Sequence, residues 1–275
     1  MLNNIKNDFF LRLLFSHQRE NFKFELLKYN KALQNRFEIS LLDYKIFSGR
    51  YLVHEHEHKV KEYDSYSDKL LFEGKLINGK RNGEEIEYYE NGKIKFIGEY
   101  LNGKRNGQGK EYYDNGKLKF EGEYLNGKRN GKGKEYYDNG KLKFEGEYLN
   151  GKRNGKGKEY YNGKLEFEGE YLNGKRNGKG KEYNSYGKLV FEGEYLNGKR
   201  NGKGKEYYSN GKIKFEGEYL NGKKHGKGKE FDKEGNLIFE GEYLNGEKNG
   251  KGKEYDNDGN LKDEIEYVWG VKRFE

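Results

Sequence analysis

The sequence predicts an all-β repeat protein, an elongated single antiparallel sheet built from tandem β-hairpins. The first observation is internal repetition: a segment that begins with phenylalanine recurs every 24 residues, with one interval of 23. The leading residues, which we use to name the copies, are Phe72, Phe96, Phe120, Phe144, Phe167, Phe191, Phe215 and Phe239. A fixed period of this length is typical of stacked repeats rather than of a globular core with one cleft.

The second observation is the alternation inside each copy. Across residues 118–125, one face carries Leu118, Phe120, Gly122 and Tyr124, and the other carries Lys119, Glu121, Glu123 and Leu125. A period of two indicates a half-buried strand. Residues 126–131 are rich in Asn and Gly and predict a turn. Residues 133–137 predict a second strand, and 138–140 predict a hairpin turn into the next copy.

A two-residue turn at Asn139 and Gly140 predicts the register. The expected partners are Tyr137 and Leu142, Glu135 and Phe144, Gly133 and Gly146, Lys134 and Glu145, and Lys132 and Glu147. Opposite charges therefore meet across the strands. The shorter copy lacks the Asp of this turn, and a slip inside a strand would reverse its faces, so we expect the turn to absorb the deletion.

The same pattern predicts the core of each copy. We expect Leu118, Phe120, Tyr124 and Tyr137 to be buried, because they recur at the apolar positions. Paired glycines should leave lanes along this face in which aromatic rings from the next copy lie flat. One copy is too small to fold alone, so neighbouring copies must stabilise one another.

Composition supports a folded, highly solvated protein. Hydrophobic residues make up 32 %, charged residues 37 %, and the mean hydropathy is −1.30, which favours disorder, but aromatics reach 16 % and the net charge is only +8. The absence of Cys excludes disulfides and thiolate zinc sites. The sequence shows neither a signal-peptide pattern nor a long apolar run, so we expect a cytoplasmic protein.

Two regions are predicted. Residues 1–46 carry apolar residues at helical spacing, such as Ile5, Phe9 and Leu13, and predict a small α-helical cap over the first strand edge or a helical adaptor for a partner. Residues 47–275 form the array of about nine copies, with a degenerate first copy at 47–71 and a truncated one from 263. Val268 and Trp269 are expected to fold over the last strand edge.

The repeat resembles a known family. Phe120-Glu121-Gly122-Glu123-Tyr124, with Asn126-Gly127-Lys128 and Gly131-Lys132-Gly133, is similar to the MORN repeat, and Tyr136-Tyr137-Asp138-Asn139-Gly140 is similar to its variant form. The resemblance covers about residues 47–270. It implies a twisted sheet of β-hairpins and a role as a scaffold, a dimerisation module, an attachment to membranes or the cytoskeleton, or an accessory region of a lipid kinase or methyltransferase. Asn130 and Glu135 depart from the family pattern, in which His and an aromatic residue are common.

Catalysis is not predicted. The segment 127–134 superficially suggests a phosphate-binding loop, but Gly133 stands where Ser or Thr is required, and no strand-to-helix transition follows. The chain has neither a Cys nucleophile nor Ser, His and Asp at catalytic spacing, and its carboxylates recur in every copy rather than forming one distinctive cluster. We therefore expect no enzyme activity and no cofactor.

His54, His56 and His58 alternate in the first copy. On a strand they would share one face, where neutral imidazoles can bind a metal. They equally suit an irregular, solvated first hairpin.

The best functional candidate is a basic edge. A standard copy, such as residues 120–143, has an excess of two positive charges, concentrated in the segment NGKRNGKGK. Stacking is expected to align the pairs Lys104 and Arg105, Lys128 and Arg129, Lys152 and Arg153, Lys175 and Arg176, Lys199 and Arg200, and Lys223 and Lys224. This edge suits a non-catalytic scaffold that binds a protein partner or a second copy, or a peripheral attachment to anionic lipid. Nucleic acid is less favoured, because interleaved glutamates repel phosphates. A charged edge that only prevents aggregation is the alternative.

Overall fold

The chain folds as a series of antiparallel β-hairpins. A computed structural model describes residues 49–55 and 59–273, and within them it contains 21 β-strands and no helix. The predicted all-β class and the tandem hairpins are confirmed. The helical region predicted at 1–46 lies outside the described residues. Nowhere in the described ranges is there a helix with the length and apolar character needed to cross a membrane.

The chain divides into two compact units, and the boundary falls within the strand Lys104–Tyr112, β7. Unit 1 comprises the described residues up to Arg105 together with 111–116. Its other strands are β1 (Arg50–His54), β2 (Lys59–Asp64), β3 (Leu70–Ile77), β4 (Lys80–Arg81), β5 (Gly83–Tyr88) and β6 (Ile94–Leu101). The antiparallel pairs of unit 1 are β1 with β2, β2 with β3, β3 with β4 and β5, and β5 with β6.

Unit 2 comprises residues 106–110 and the described residues from Lys117 onward. Its strands are β8 (Leu118–Leu125), β9 (Lys128–Tyr136), β10 (Leu142–Leu149), β11 (Lys152–Tyr161), β12 (Lys164–Leu172), β13 (Lys175–Tyr183), β14 (Leu189–Leu196), β15 (Lys199–Tyr207), β16 (Ile213–Leu220), β17 (Lys223–Phe231), β18 (Leu237–Leu244), β19 (Glu247–Tyr255), β20 (Leu261–Val268) and β21 (Val271–Arg273). From β8 to β21, each strand pairs antiparallel with the next.

The first turn of each copy is shorter than predicted. β8 ends at Leu125 and β9 begins at Lys128, so the turn contains only Asn126 and Gly127. Their φ angles are 50° and 84°, which fits a type I′ turn, and Asn and Gly adopt positive φ at low cost. The predicted six-residue turn at 126–131 is therefore wrong, and Lys128 and Arg129 lie on a strand.

The second turn is longer than predicted. The N–H of Tyr137 donates to the carbonyl of Lys141 at 2.9 Å, and the N–H of Gly140 donates to the carbonyl of Tyr137 at 2.9 Å. Gly140 ends this turn with φ 87°, and a bulge follows in the strand between Leu142 and Phe144. Leu142 consequently lies opposite Tyr136, and the predicted pair of Tyr137 with Leu142 is wrong. The four other predicted pairs are confirmed, because the bulge restores the register.

The shorter copy keeps the same register by tightening this turn. Tyr161 lies opposite Lys164, so only Asn162 and Gly163 connect β11 to β12. Glu159 still lies opposite Phe167, as Glu135 lies opposite Phe144. The prediction that the turn absorbs the deletion is confirmed.

In unit 2, the core lies on one face, which we call the aromatic face and which carries the leading Phe and the following Tyr of each copy. Phe120 and Tyr124 are buried, whereas Leu118 and Tyr137 are partly exposed, contrary to the prediction. The Phe120 ring meets Tyr124 and Tyr148 edge-on, with centroids at 5.6 Å and 5.2 Å. In unit 2, such contacts continue from copy to copy as far as Tyr267. Each Phe therefore links two copies.

Glycines make room for these rings. A Cβ added to Gly204 would lie 2.5 Å from Cζ of Phe191, so the ring lies directly over the position. A Cβ at Gly180 would also meet Tyr195 of the next copy at 3.2 Å. The predicted glycine lane is therefore present, and it holds the Phe of its own copy as well as a Tyr from the next.

The last turn does not form the predicted cover. Trp269 takes the turn position that Asn126 takes in a standard copy, with φ 49°, and its side chain is exposed. Val268 and Val271 lie opposite each other and are exposed as well.

Candidate interaction surface

The structure separates the two members of each predicted basic pair onto opposite faces. In unit 2, Arg129 lies opposite Tyr124 and therefore points to the aromatic face, whereas Lys128 lies opposite Leu125 on the other face. The first members are exposed: Lys104, Lys128, Lys152, Lys175, Lys199 and Lys223. The second members are partly buried: Arg105, Arg129, Arg153, Arg176, Arg200 and Lys224.

Each second member covers the leading Phe of its copy. The guanidinium carbon of Arg153 lies 4.2 Å from the ring centroid of Phe144. Lys224 takes the same position, with Nζ 4.0 Å from the centroid of Phe215. A cation over an aromatic face gains electrostatic attraction and shields the ring from water.

The same groups form ion pairs that link successive copies. In unit 2, Arg153 contacts Glu135 at 2.9 Å and Glu159 at 2.8 Å, and Arg176 contacts Glu159 at 2.5 Å. Glutamates and arginines thus alternate along the aromatic face, and we call this series of ion pairs the ladder. Unit 1 has a ladder of its own, formed by Arg81 and Arg105 with Glu62, Glu87 and Glu111. The glutamate that departs from the family pattern, Glu135, is a member of this arrangement.

The ladder determines the protonation of its carboxyls. Burial acts to raise the pKa of Glu135, but hydrogen bonds from Arg153 and Lys143 outweigh it, so the pKa lies below its usual range. The pKa of Glu182 is lowered in the same way, with Arg200 as the main partner. These carboxyls are ionised at neutral pH, and half of the predicted basic edge is used to pair with them.

The first members form a different surface, which we call the Leu–Lys row. In unit 2, each of these lysines lies opposite a leucine of the preceding strand. The row consists of Leu125 and Lys128, Leu149 and Lys152, Leu172 and Lys175, Leu196 and Lys199, and Leu220 and Lys223. The leucines are between 44 % and 51 % exposed, and the lysines are exposed.

The lysines of the row differ from other lysines on the same face. Lys134 lies opposite Glu121 and Glu145, so its charge is compensated across both neighbouring strands. No ion pair involving the five lysines of the row occurs within the described part of the chain. The row therefore combines uncompensated positive charge with half-exposed apolar area.

Backbone hydrogen bonds hold the turns of the row together in unit 2. The N–H of Gly151 donates to the carbonyl of Arg129 at 2.8 Å, and the N–H of Asn150 donates to Oδ1 of Asn130 at 3.4 Å. Equivalent bonds recur at the following turns, for example from Gly174 to Arg153. The side chains of the row are therefore carried on connected, ordered turns. Sequence reasoning missed the leucines, although the period of two had already placed Leu125 on the face opposite Phe120.

A second feature missed from the sequence is Glu85 in unit 1. It stands where Gly133 stands in a standard copy, and only 2 % of it is exposed. Within the described residues, neither carboxyl oxygen has a hydrogen-bond partner. Burial raises the pKa of Glu85 to about 8, although the nearby backbone N–H of Asn82 and the charge of Arg81 act to lower it. Aligning the copies on their glycines would have revealed this exception.

The alternating histidines are only partly described. His54 is the last residue of β1, while His56 and His58 lie outside the described residues. The described residues include no group of three or more His, Cys, Asp or Glu that is arranged to hold a metal.

Comparison with known proteins identifies the repeats. The sequence profile of the MORN repeat matches residues 96–117, 120–141, 144–164, 167–188, 191–213, 215–236 and 239–261, and that of the MORN repeat variant matches 81–102. Together, the matches cover more than half of the chain. No curated protein sequence matches it.

Two solved structures show a weak likeness. A TarM mutant from S. aureus, in complex with fondaparinux, alpha-GlcNAc-glycerol and UDP, is 11 % identical with a TM-score of 0.28, and the match covers 46 % of this chain and 24 % of that one. Another TarM structure is 11 % identical with a TM-score of 0.26, over 48 % and 27 %. The chain spans about a quarter of their length. Scores this low carry no argument about fold or function.

Proposed function

Because the chain belongs to the MORN-repeat family, we propose that it is a non-catalytic scaffold that binds a protein partner, or a second copy of itself, along the Leu–Lys row. The observation that carries the proposal is that the row is exposed and its lysines have no ion-pair partner among the described residues, whereas cations of the aromatic face such as Arg153, Arg176 and Arg200 are paired with glutamates. Apolar area beside positive charge suits a partner with apolar and acidic side chains.

The repetition itself favours a scaffold over an enzyme. Catalysis requires one distinctive, preorganised cluster of groups. Here, the same Glu, Arg and Tyr recur in successive copies and contact one another as structural partners, for example Glu182, Arg200 and Tyr195. Repeated identical surfaces instead favour multivalent binding, in which several weak contacts add to a strong one.

One observation favours a second candidate function, attachment to an anionic membrane. Half-exposed leucines next to exposed lysines match the chemistry of a lipid interface, where apolar side chains enter the headgroup region and cations remain near phosphates. Each lysine near such a surface contributes about 1 kcal/mol. The five lysines of the row would then act together.

The experiment changes the row and compares it with a matched control. In the row variant, Lys128, Lys152, Lys175, Lys199 and Lys223 become Gln. In the control variant, the same number of charges is removed from lysines that lie opposite glutamates: Lys134, Lys158, Lys181, Lys205 and Lys229. Self-association is measured by analytical ultracentrifugation, and partners are captured from the source cell. We expect the row variant, but not the control, to lose binding.

Vesicle sedimentation distinguishes the two functions. Membrane attachment predicts that vesicles containing acidic lipid sediment the wild type at low salt, and that the row variant stays in the supernatant. A scaffold that binds only protein stays in the supernatant in both cases. Equal losses of protein binding in the row and control variants would mean that total charge, not the row, is recognised, and would refute the assignment.

A further inference from the structure

The opposite edge of unit 2 contains three consecutive turns that lack carboxylates. They are the turns at 161–164, 184–188 and 208–212, each of which ends in a lysine. The preceding turn contains Asp138, and the following two contain Asp232 and Asp256. We call these three turns the carboxylate-free edge. Its lysines, Lys164, Lys188 and Lys212, are exposed.

The carboxylate-free edge also exposes two aromatic rings. Tyr186 is 85 % exposed and Tyr161 is 61 % exposed. In the copies led by Phe120 and Phe191, the second Tyr is partly buried and its hydroxyl donates to the next copy, as Tyr208 does to the carbonyl of Phe231 at 2.8 Å. The copy that contains Tyr161 is one residue shorter, and there Tyr161 lies opposite Lys164 at the end of the strand. Tyr186 lies at the turn position that Asn139 takes in a standard copy.

Local hydrogen bonds hold these groups in place. Oδ1 of Asn184 accepts from the N–H groups of Tyr186 at 2.9 Å and Lys188 at 3.1 Å, which fixes the turn. Nζ of Lys164 donates to the carbonyl of Ser185 at 2.5 Å and lies 6.0 Å from the ring centroid of Tyr186.

Nζ of Lys188 and Nζ of Lys212 likewise donate hydrogen bonds to the next turns, to the carbonyls of Ser209 and Glu234. Each ammonium uses one of its three donors for this bond and keeps its charge. The three ammonium groups and the backbone of the 184–188 turn are therefore held in place before any ligand binds, which lowers the entropic cost of binding.

We propose that the carboxylate-free edge binds single-stranded nucleic acid, with bases stacking on Tyr161 and Tyr186 and phosphates contacting Lys164, Lys188 and Lys212. Exposed aromatic rings beside cations are the two features that non-specific single-strand binding requires. The glutamates that repel phosphates along the rest of the array are absent from these turns. This activity goes beyond the scaffold function and uses the other edge of the hairpins.

The experiment titrates full-length protein into a fluorescein-labelled oligothymidylate of about 20 nucleotides and measures fluorescence anisotropy. Binding is expected at about 50 mM salt, with a slope of log K against log salt near −2 for three phosphate contacts on a single strand. A duplex of equal length should bind more weakly, because its bases cannot stack on tyrosine.

The matched variants restore residues that other copies already carry, so they are expected to fold. Ser185→Asp with Ser209→Asp replaces the missing carboxylates, and Tyr186→Asn removes one ring; each change should weaken binding about tenfold. Lys141→Gln, in a turn that keeps Asp138, should leave the affinity unchanged, as should the row variant.

Three outcomes would overturn the proposal: no binding at low salt, equal affinity for single strand and duplex, or unchanged affinity after the restoring substitutions. Displacement of the oligonucleotide by poly-glutamate at equal charge concentration would instead assign the edge to acidic proteins.

Discussion

The two faces of a hairpin in unit 2 use neighbouring basic residues for opposite purposes. On the aromatic face, Arg176 covers Phe167 and pairs with Glu159, so its charge is used inside the fold. On the other face, Lys175 lies opposite Leu172 and has no carboxylate opposite it. The net charge of a repeat is therefore not a measure of its capacity to bind a partner. Only the face on which each cation lies decides whether that charge is available to a partner.

The largest effect is expected from filling the glycine lane of the aromatic face. Gly204→Val places a branched side chain where a Cβ alone would lie 2.5 Å from the Phe191 ring. The buried ring must move, and we expect the free energy of unfolding to fall by about 3 kcal/mol. Denaturant unfolding followed by circular dichroism measures this. The control is Gly198→Asn, at a turn with open surroundings, where the side chain meets no ring and only the positive φ opposes it; equal losses in both variants would contradict the lane.

The next effect comes from removing a cation of the ladder. Arg176→Gln leaves Glu159 and Glu182 with fewer partners and uncovers Phe167. We expect a loss of about 2 kcal/mol, because a partly buried carboxylate without its partner is costly. Its neighbour provides the control: Lys175→Gln should change the free energy of unfolding by less than about 0.5 kcal/mol. Similar losses for both variants would mean that the faces do not differ.

A pH-dependent effect is expected where a carboxyl interrupts the glycine lane of unit 1. The pKa of Glu85 rises from an ordinary value of 4.5 to about 8, so the folded state keeps a proton that the unfolded state releases. The contribution of Glu85 to stability is therefore greatest below pH 4.5 and falls as the pH rises towards 8, by at most about 1.4 kcal/mol per pH unit. Hydrogen exchange of β5 and β6 between pH 5 and 9, corrected for intrinsic rates, measures the opening free energy.

Glu85→Gln is the control for this prediction, since it keeps the side-chain size but does not titrate. Its local opening free energy should vary much less across the same range. If wild type and variant respond alike, then other groups cause the pH dependence.

The smallest structural effect is expected from the Leu–Lys row. Replacing its five lysines with Gln should leave the thermal unfolding midpoint within about 2 °C of the wild type, because the ion pairs between copies are made by the neighbouring arginines and not by these lysines. Differential scanning calorimetry measures this. A large destabilisation would show that the row is part of the fold rather than a surface for partners.

Much of the fold could be predicted because local patterns repeat. The period of two in residues 118–125 identified β8 and its buried Phe120, and each repetition added evidence for the same hairpin. The turn lengths could not be predicted, because one residue decides between alternative turns. Whether Gly140 closes a two-residue turn or follows a longer one depends on hydrogen bonds that the sequence does not display.

The candidate site was predicted only in part. The basic pairs were visible in the sequence, but their separation depends on where β9 begins, and residue 128 was assigned to a turn. The exposed tyrosines could have been found by comparing the copies, because Tyr161 and Tyr186 occur where the repeat changes.

The sequence by itself determined the repeating unit, the all-β class and the burial of the leading Phe and the Tyr that follows it, because these follow from periodicity and from the demand that apolar side chains leave water. Only the tertiary structure decided which cations are paired with carboxylates inside the fold. The physical reason is that an ion pair between copies requires two side chains far apart in sequence to meet at the same height of the sheet, as Arg153 and Glu135 do at 2.9 Å. This contact depends on the combined register of β9, β10 and β11 and not on the residues of any one copy.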